Sequence, residues 1–169
     1  MRIWELGDFI DTDTILPAKY LNNNNPSYYS QFCLESLINN FSEKVKEGDV
    51  IVAGECFGYG SSRESAPFAI KYLGIKAIFA TSFSRIFMRN AINIGLPVVE
   101  INEQTKKEIL YSEEIRFNSD YSKIILVNQK KEQILPTKYS PFIQEIIKCG
   151  GLMKYYEKFY AKETSDSTR

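Results

Sequence analysis

The densest run of reactive side chains is Gly58-Tyr59-Gly60-Ser61-Ser62-Arg63-Glu64. Two glycines one residue apart permit a tight turn and close approach of another molecule to the backbone. Ala66, Ala69, Ile70 and Leu73 follow at i, i+3, i+4 and i+7, the spacing of a helix with one apolar face. Pro67 donates no N–H, so regular helical bonding must begin close to Glu64, which puts both serines at or just before a helix N-terminus. Free N–H groups there favour an anion, and Arg63 adds a guanidinium that can grip a carboxylate with two hydrogen bonds. The pattern points to a carboxylate or phosphate site. A serine that simply caps a helix behind a glycine turn satisfies it as well.

Familiar motifs do not fit. The run lacks the Gly-Lys-Ser/Thr of a phosphate-binding loop, and Arg63 stands where both the dinucleotide fingerprint and the Gly-x-Ser-x-Gly elbow need glycine. The 169 residues include no histidine at all. That excludes Ser-His-Asp and Cys-His machinery and any His-ligated metal within the chain. Cys33, Cys56 and Cys149 form no CxxC pair, and their odd number argues against a disulfide framework. No metal site is expected in this chain, and Cys56, although near the serines, reads as a small buried apolar residue.

Lys+Arg and Asp+Glu are equal at 21 each, so no net field steers the chain toward nucleic acid or an anionic membrane. With 44% hydrophobic and 25% charged residues it reads as one soluble domain. No apolar stretch approaches the ~18–20 residues of a spanning helix, and Met1–Leu6 does not read as a leader. The expected compartment is the cytoplasm.

Strands are expected at Met1–Leu6, Val50–Ala53, Lys76–Ala80 and Val98–Ile101, with a small meander over Glu114–Phe117, Lys123–Asn128 and Lys131–Leu135. Between them the pattern predicts a helix from Ser27 or Ser30 to about Asn39, the helix after Glu64, and one capped by Thr81 or Ser82 with Phe83, Ile86, Phe87 and Ala91 inward. A short helix over Gln104–Leu110 and closing helices over Pro141–Lys148 and Leu152–Tyr160 complete it, the aromatic residues Tyr155, Tyr156, Phe159 and Tyr160 packing the last. Asn22–Asn25 and Pro26 form a surface loop. Residues 1–160 constitute the domain and 161–169 read as a frayed tail. The alternation implies an α/β fold with a partly parallel central sheet and flanking helices.

Gly48–Pro67 as a whole resembles the small subunit of 3-isopropylmalate dehydratase, the swivel domain of the aconitase superfamily carried as a separate chain. The likeness extends to Asp11-Thr12-Asp13-Thr14-Ile15 with Pro17 and Tyr20-Leu21, to Ser82-Phe83-Ser84-Arg85-Ile86-Phe87 with Arg89–Pro97, and to Gly150-Gly151-Leu152. The length matches the compact, archaeal-type form. The resemblance implies a swivelling β/β/α domain that closes over a large partner subunit, as a heterodimer or heterotetramer, and the [4Fe–4S] cluster is expected on that partner. It implies a 2-hydroxy diacid substrate, 2-isopropylmalate of leucine biosynthesis first. Ser61 then matches the base that moves the proton α to a carboxylate, and Ser62 and Arg63 match substrate-contacting neighbours.

Two positions depart from the family pattern. Ser65 stands where histidine is common. Asn22 and Asn23 occupy the segment in which family members tune substrate choice, with Lys19, Tyr20 and Glu64 as further loop or supporting positions. Homocitrate-, citramalate- or dimethylmalate-like substrates therefore stay open, as does a non-catalytic relative that only captures a dicarboxylate or phosphate. Asp11 and Asp13 fit a solvated turn equally with a support for the mobile loop or a contact with the partner. Arg85 and Arg89, four apart, fit either carboxylate or partner contact, or a plain exposed face.

Overall fold

The computed structural model describes residues 1–160, so the expected tail at 161–169 lies outside the described residues. The elements run β1 (Ile3–Glu5), α1 (Thr12–Ile15), α2 (Pro26–Tyr29), α3 (Phe41–Lys44), β2 (Val50–Ala53), α4 (Ser65–Tyr72), β3 (Ala77–Ala80), α5 (Arg85–Asn93), β4 (Val98–Glu100) and α6 (Glu103–Leu110). Then come β5 (Glu114–Phe117), β6 (Lys123–Asn128), β7 (Lys131–Pro136), α7 (Pro141–Cys149) and α8 (Leu152–Phe159).

β1, β2, β3 and β4 form one sheet in that order, every pair parallel. The expected partly parallel sheet is thus fully parallel, and the antiparallel pairs belong to a separate sheet, β5-β6-β7. Val50-Ile51-Val52-Ala53 and Ala77-Ile78-Phe79-Ala80 are buried along their whole length. Such continuous apolar runs suit a parallel sheet covered on both faces. Because successive side chains alternate, Ile51, Ala53, Ile78 and Ala80 pack with Ala66, Ala69 and Ile70 of α4 and Phe87 and Ala91 of α5. Val50, Val52, Ala77 and Phe79 pack with Ile109 of α6 and Ile115, Ile124 and Leu126 of the meander. The result is three layers, meander on parallel sheet on helices, as the β/β/α expectation required.

The segment from Ser27 to Asn39 departs from expectation. In place of one helix it holds α2, a 3-10 turn at Ser30–Phe32 and irregular turns. Asn25, not Ser27 or Ser30, caps α2 by accepting from the Ser27 N–H. Leu34 has a left-handed backbone (φ 55°), which no helix tolerates, and its N–H is drawn off to the Ile15 carbonyl at 2.8 Å. Burial of Leu34 and Cys33 in the core fixes that kink. Ser84, rather than Thr81 or Ser82, is the N-cap residue of α5, and Ile86 is exposed instead of inward.

Asp49 ties the start of β2 to the start of β1. It is 2% exposed and accepts from Arg2 N at 2.6 Å, Trp4 Nε1 at 3.0 Å and Lys46 N at 3.0 Å. Burial pushes its carboxyl up, but these three donors outweigh that and hold it below the usual aspartate range. A depressed value stabilises the fold above the unfolded pKa near 3.8 and is lost as pH falls through the folded one. Asp49→Asn is expected to cost about 1–3 kcal/mol at pH 7 in urea unfolding. It should also flatten the loss of stability that the wild type shows on acidification below that range.

Candidate active site

All four strands of the parallel sheet point the same way, so the loops leaving β1, β2 and β3 emerge on one edge, where ligands of open parallel sheets bind. Backbone bonds stitch the three together. Phe9 N donates to Glu55 O, Gly58 N to Ile10 O at 2.7 Å, and Thr12 N to Tyr59 O at 2.9 Å. Phe57 is sewn to the third loop by Phe57 N to Ser82 O and Ser84 N to Phe57 O, and Cys56 N donates to Ser82 Oγ.

Gly58 (φ 76°) and Gly60 (φ 96°) both need the left-handed region. At Gly58 space is also decisive, since a Cβ there would collide with the Phe87 ring of α5. Phe87 in turn sits edge-on to Phe57 at 5.2 Å. The turn therefore presses onto α5 and swings Ser61 and Ser62 outward, where both are exposed.

Ser61 is held by its backbone. Its N–H donates to the hydroxyl of buried Thr12 at 3.0 Å. The Ser62 carbonyl accepts from Asn90 Nδ2 at 3.1 Å. The α4 helix begins at Ser65 after Glu64, which forms no side-chain cap. The serines thus stand before the helix without capping it, and the plain-cap reading of the sequence does not describe them.

Arg63 is turned toward α1. Its Nη2 lies 2.7 Å from Asp13 Oδ1, while Nη1 is buried with no hydrogen-bond partner among the described residues. The hydrogen bond from Arg63, opposed by a smaller cost of burial, keeps the Asp13 carboxyl below the usual range. One edge of the guanidinium is thus engaged and the other holds an unspent donor.

A cleft of about 310 Å³ brings Asn23, Glu64 and Ser65 together with Leu21, Asn24, Tyr29, Phe68 and Ile94. Asn22 is exposed beside it, and Asn24, passed over in the sequence, lines it. Lys19 and Tyr20 face elsewhere. Lys19 lines a different cleft with Glu35, 4.0 Å from that carboxylate, and Tyr20 stacks on Phe32 at 3.7 Å. Cys56 is half-buried with φ 54°, not the buried apolar residue expected. Arg85 and Arg89 are exposed. Tyr155 packs edge-on against Phe142, as expected of a closing helix, but Tyr156, Phe159 and Tyr160 are about half exposed.

Residues 16–104 match the aconitase C-terminal domain family. The 3-isopropylmalate dehydratase small subunit of Halothermothrix orenii is 47% identical over 153 residues, covering 90% of this chain and 92% of that one. The protein of the same description from Aquifex aeolicus is 45% identical, over 96% of both chains. The crystal structure of 3-isopropylmalate dehydratase from Methanocaldococcus jannaschii superposes with a TM-score of 0.78 at 40% identity, over 97% of this chain and 96% of that one. The chain belongs to the family of 3-isopropylmalate dehydratase small subunits. These are hydro-lyases of the aconitase family. The compact length is shared with these relatives, which are covered almost end to end.

Among the described residues no cluster of three or more His, Cys, Asp or Glu side chains is placed to hold a metal ion, and no helix is long and apolar enough to cross a membrane. Thr12 meets Ser61 from 49 residues away, Phe87 meets Gly58 from 29 and Asn90 meets Ser62 from 28. Gly58→Ala is expected to destabilise the protein by more than about 1 kcal/mol, since it adds left-handed strain to a clash with Phe87. Thermal melts of the purified variant check this.

Proposed function

We propose that this chain is one half of a two-chain hydro-lyase that dehydrates and rehydrates a 2-hydroxy diacid, 2-isopropylmalate foremost, in leucine biosynthesis. The observation that carries the reading is Ser61. It is exposed at the lip of a left-handed glycine turn, its N–H locked to Thr12 and its neighbour's carbonyl to Asn90. A hydroxyl that only filled space would not need that scaffold.

The residues of this chain do not fit an iron–sulfur cluster. It has no histidine, Cys33 is sealed in the core with its thiol pushed far up by burial, and no ligand cluster is assembled among the described residues. A [4Fe–4S] group accordingly belongs to a large partner subunit, in a heterodimer or heterotetramer. What this chain supplies is the proton transfer and an anion cradle. Ser61 Oγ, as alkoxide, takes the proton from the carbon α to a carboxylate. The C–H electron pair becomes the alkene bond as the hydroxyl leaves the adjacent carbon. Returning that proton to the carbon that lost the hydroxyl, and the hydroxyl to the carbon that lost the proton, gives the isomeric hydroxy diacid, with no net redox change. Arg63 and the exposed Ser62 meet substrate carboxylate, where a preorganised donor lowers the barrier by about 2.7–4 kcal/mol. Asn23, with Asn22 beside it and Ser65 across the cleft, faces the variable substituent.

The test is co-expression with the cluster-bearing large subunit of the same organism, anaerobic purification and assay of 2-isopropylmalate with homocitrate-, citramalate- and dimethylmalate-like diacids alongside. Ser61→Ala should lower turnover by about 10²–10⁴-fold while the complex still forms. Undiminished turnover in that variant, or full activity of the isolated chain, would discard the reading. A tight complex that turns over none of these diacids would instead mark a binding relative.

A further inference from the structure

Two adjacent residues of α1 reach two different parts of the reactive loop. Thr12, 1% exposed, receives the Ser61 N–H on its hydroxyl, and Asp13 receives the Arg63 guanidinium on its carboxylate. α1 is only four residues long, yet it is pinned hard. Asp11 accepts from Thr14 N at its start, Asp11 pairs with Tyr59 as a short parallel bridge, and Leu34 N donates to Ile15 O at its end. A helical turn this short has little stability of its own. Its rigidity is borrowed from those contacts and from buried Ile15 and Leu16.

We infer that the Asp11-Thr12-Asp13 turn is the positioning device of the site, Thr12 setting where Ser61 stands and Asp13 setting where Arg63 holds its charge. The inference rests on the catalytic reading of Ser61 given above. Neither residue is a catalytic residue; each acts through its neighbour. The Arg63 geometry explains the division. With Nη2 on Asp13 and Nη1 shut away from solvent, the guanidinium is held against α1, so the charge it offers an incoming carboxylate sits at a fixed place rather than at the end of a free side chain. Without Asp13 the fork would swing. Without the Thr12 hydroxyl the Ser61 backbone would lose its only anchor to α1, and its oxygen would wander relative to the C–H it must reach.

The two residues should therefore leave different kinetic signatures. Misplacing a base lowers kcat, whereas loosening a group that binds substrate and transition state alike raises KM. In the co-expressed complex, Thr12→Val keeps the side-chain shape but removes the acceptor. It should lower kcat by about 10–10²-fold with KM little changed. Thr12→Ser, which restores the hydroxyl, should recover most of that loss. Asp13→Asn should raise KM roughly tenfold with kcat nearly unchanged, and Asp13→Glu should recover part of it. Ser61→Ala is run beside them. If Ser61→Ala is inactive while Thr12→Val and Asp13→Asn behave as wild type, the positioning role is wrong and the catalytic reading survives. If Ser61→Ala is active, the catalytic reading itself fails. Equal loss in both parameters, no recovery by the conservative variants, or failure of Thr12→Val and Asp13→Asn to assemble would make α1 a folding element and overturn the inference.

Discussion

A sheet whose strands all run one way has chemically unequal ends, and in this molecule the loops that carry the candidate site gather at the carboxyl end. β1, β2 and β3 each release a loop there, and the loops pair with one another before the chain returns to helix. The Asp11–Tyr59 and Phe57–Phe83 bridges are in effect short extensions of the parallel pairing past the point where the strands themselves stop. Ser61 is exposed, yet it is not loose, because the backbone just ahead of it is still tied to its neighbours as a strand would be.

Three residues within five positions, Cys56, Gly58 and Gly60, have positive φ, and of these Cys56, which has a Cβ, carries the backbone strain. Strain of this kind persists only where surrounding structure determines it. Phe87 supplies the floor beneath Gly58, Thr12 and Asn90 hold the far side, and Ser82 takes the Cys56 N–H. The reactive turn is thus a compact device built from three loops and one helix. The Arg63–Asp13 pair adds charge to it and leaves Arg63 Nη1 buried without a hydrogen-bond partner among the described residues.

Much of this was legible in the residues. The apolar runs at Val50–Ala53 and Ala77–Ala80 could be nothing but buried strands, and the meander's alternation gave its strands to within a residue. Ser61, Ser62 and Arg63 were evident from glycine spacing and Pro67. The region from Ser27 to Asn39 is not legible in the sequence, because its apolar residues fall at helical intervals while Leu34 takes a left-handed backbone that only packing can impose. Lys19 and Tyr20 were grouped with the site on nearness in sequence, but the 3-10 turn at Ala18–Tyr20 carries them to Glu35 and Phe32.

The sequence by itself determined composition-level and local facts: a chain without histidine, unable to gather metal ligands locally, with a glycine-framed serine ahead of a helix. Local chemistry suffices for those because they depend on residue type and short spacing. Only the tertiary structure decided that Thr12 meets Ser61, that Asp13 takes Arg63 and that Asn90 closes on Ser62. Those pairings join residues 49, 50 and 28 positions apart. They arise from the register of a parallel sheet, which brings distant loops to one edge and is set by burial on both faces rather than by any short motif.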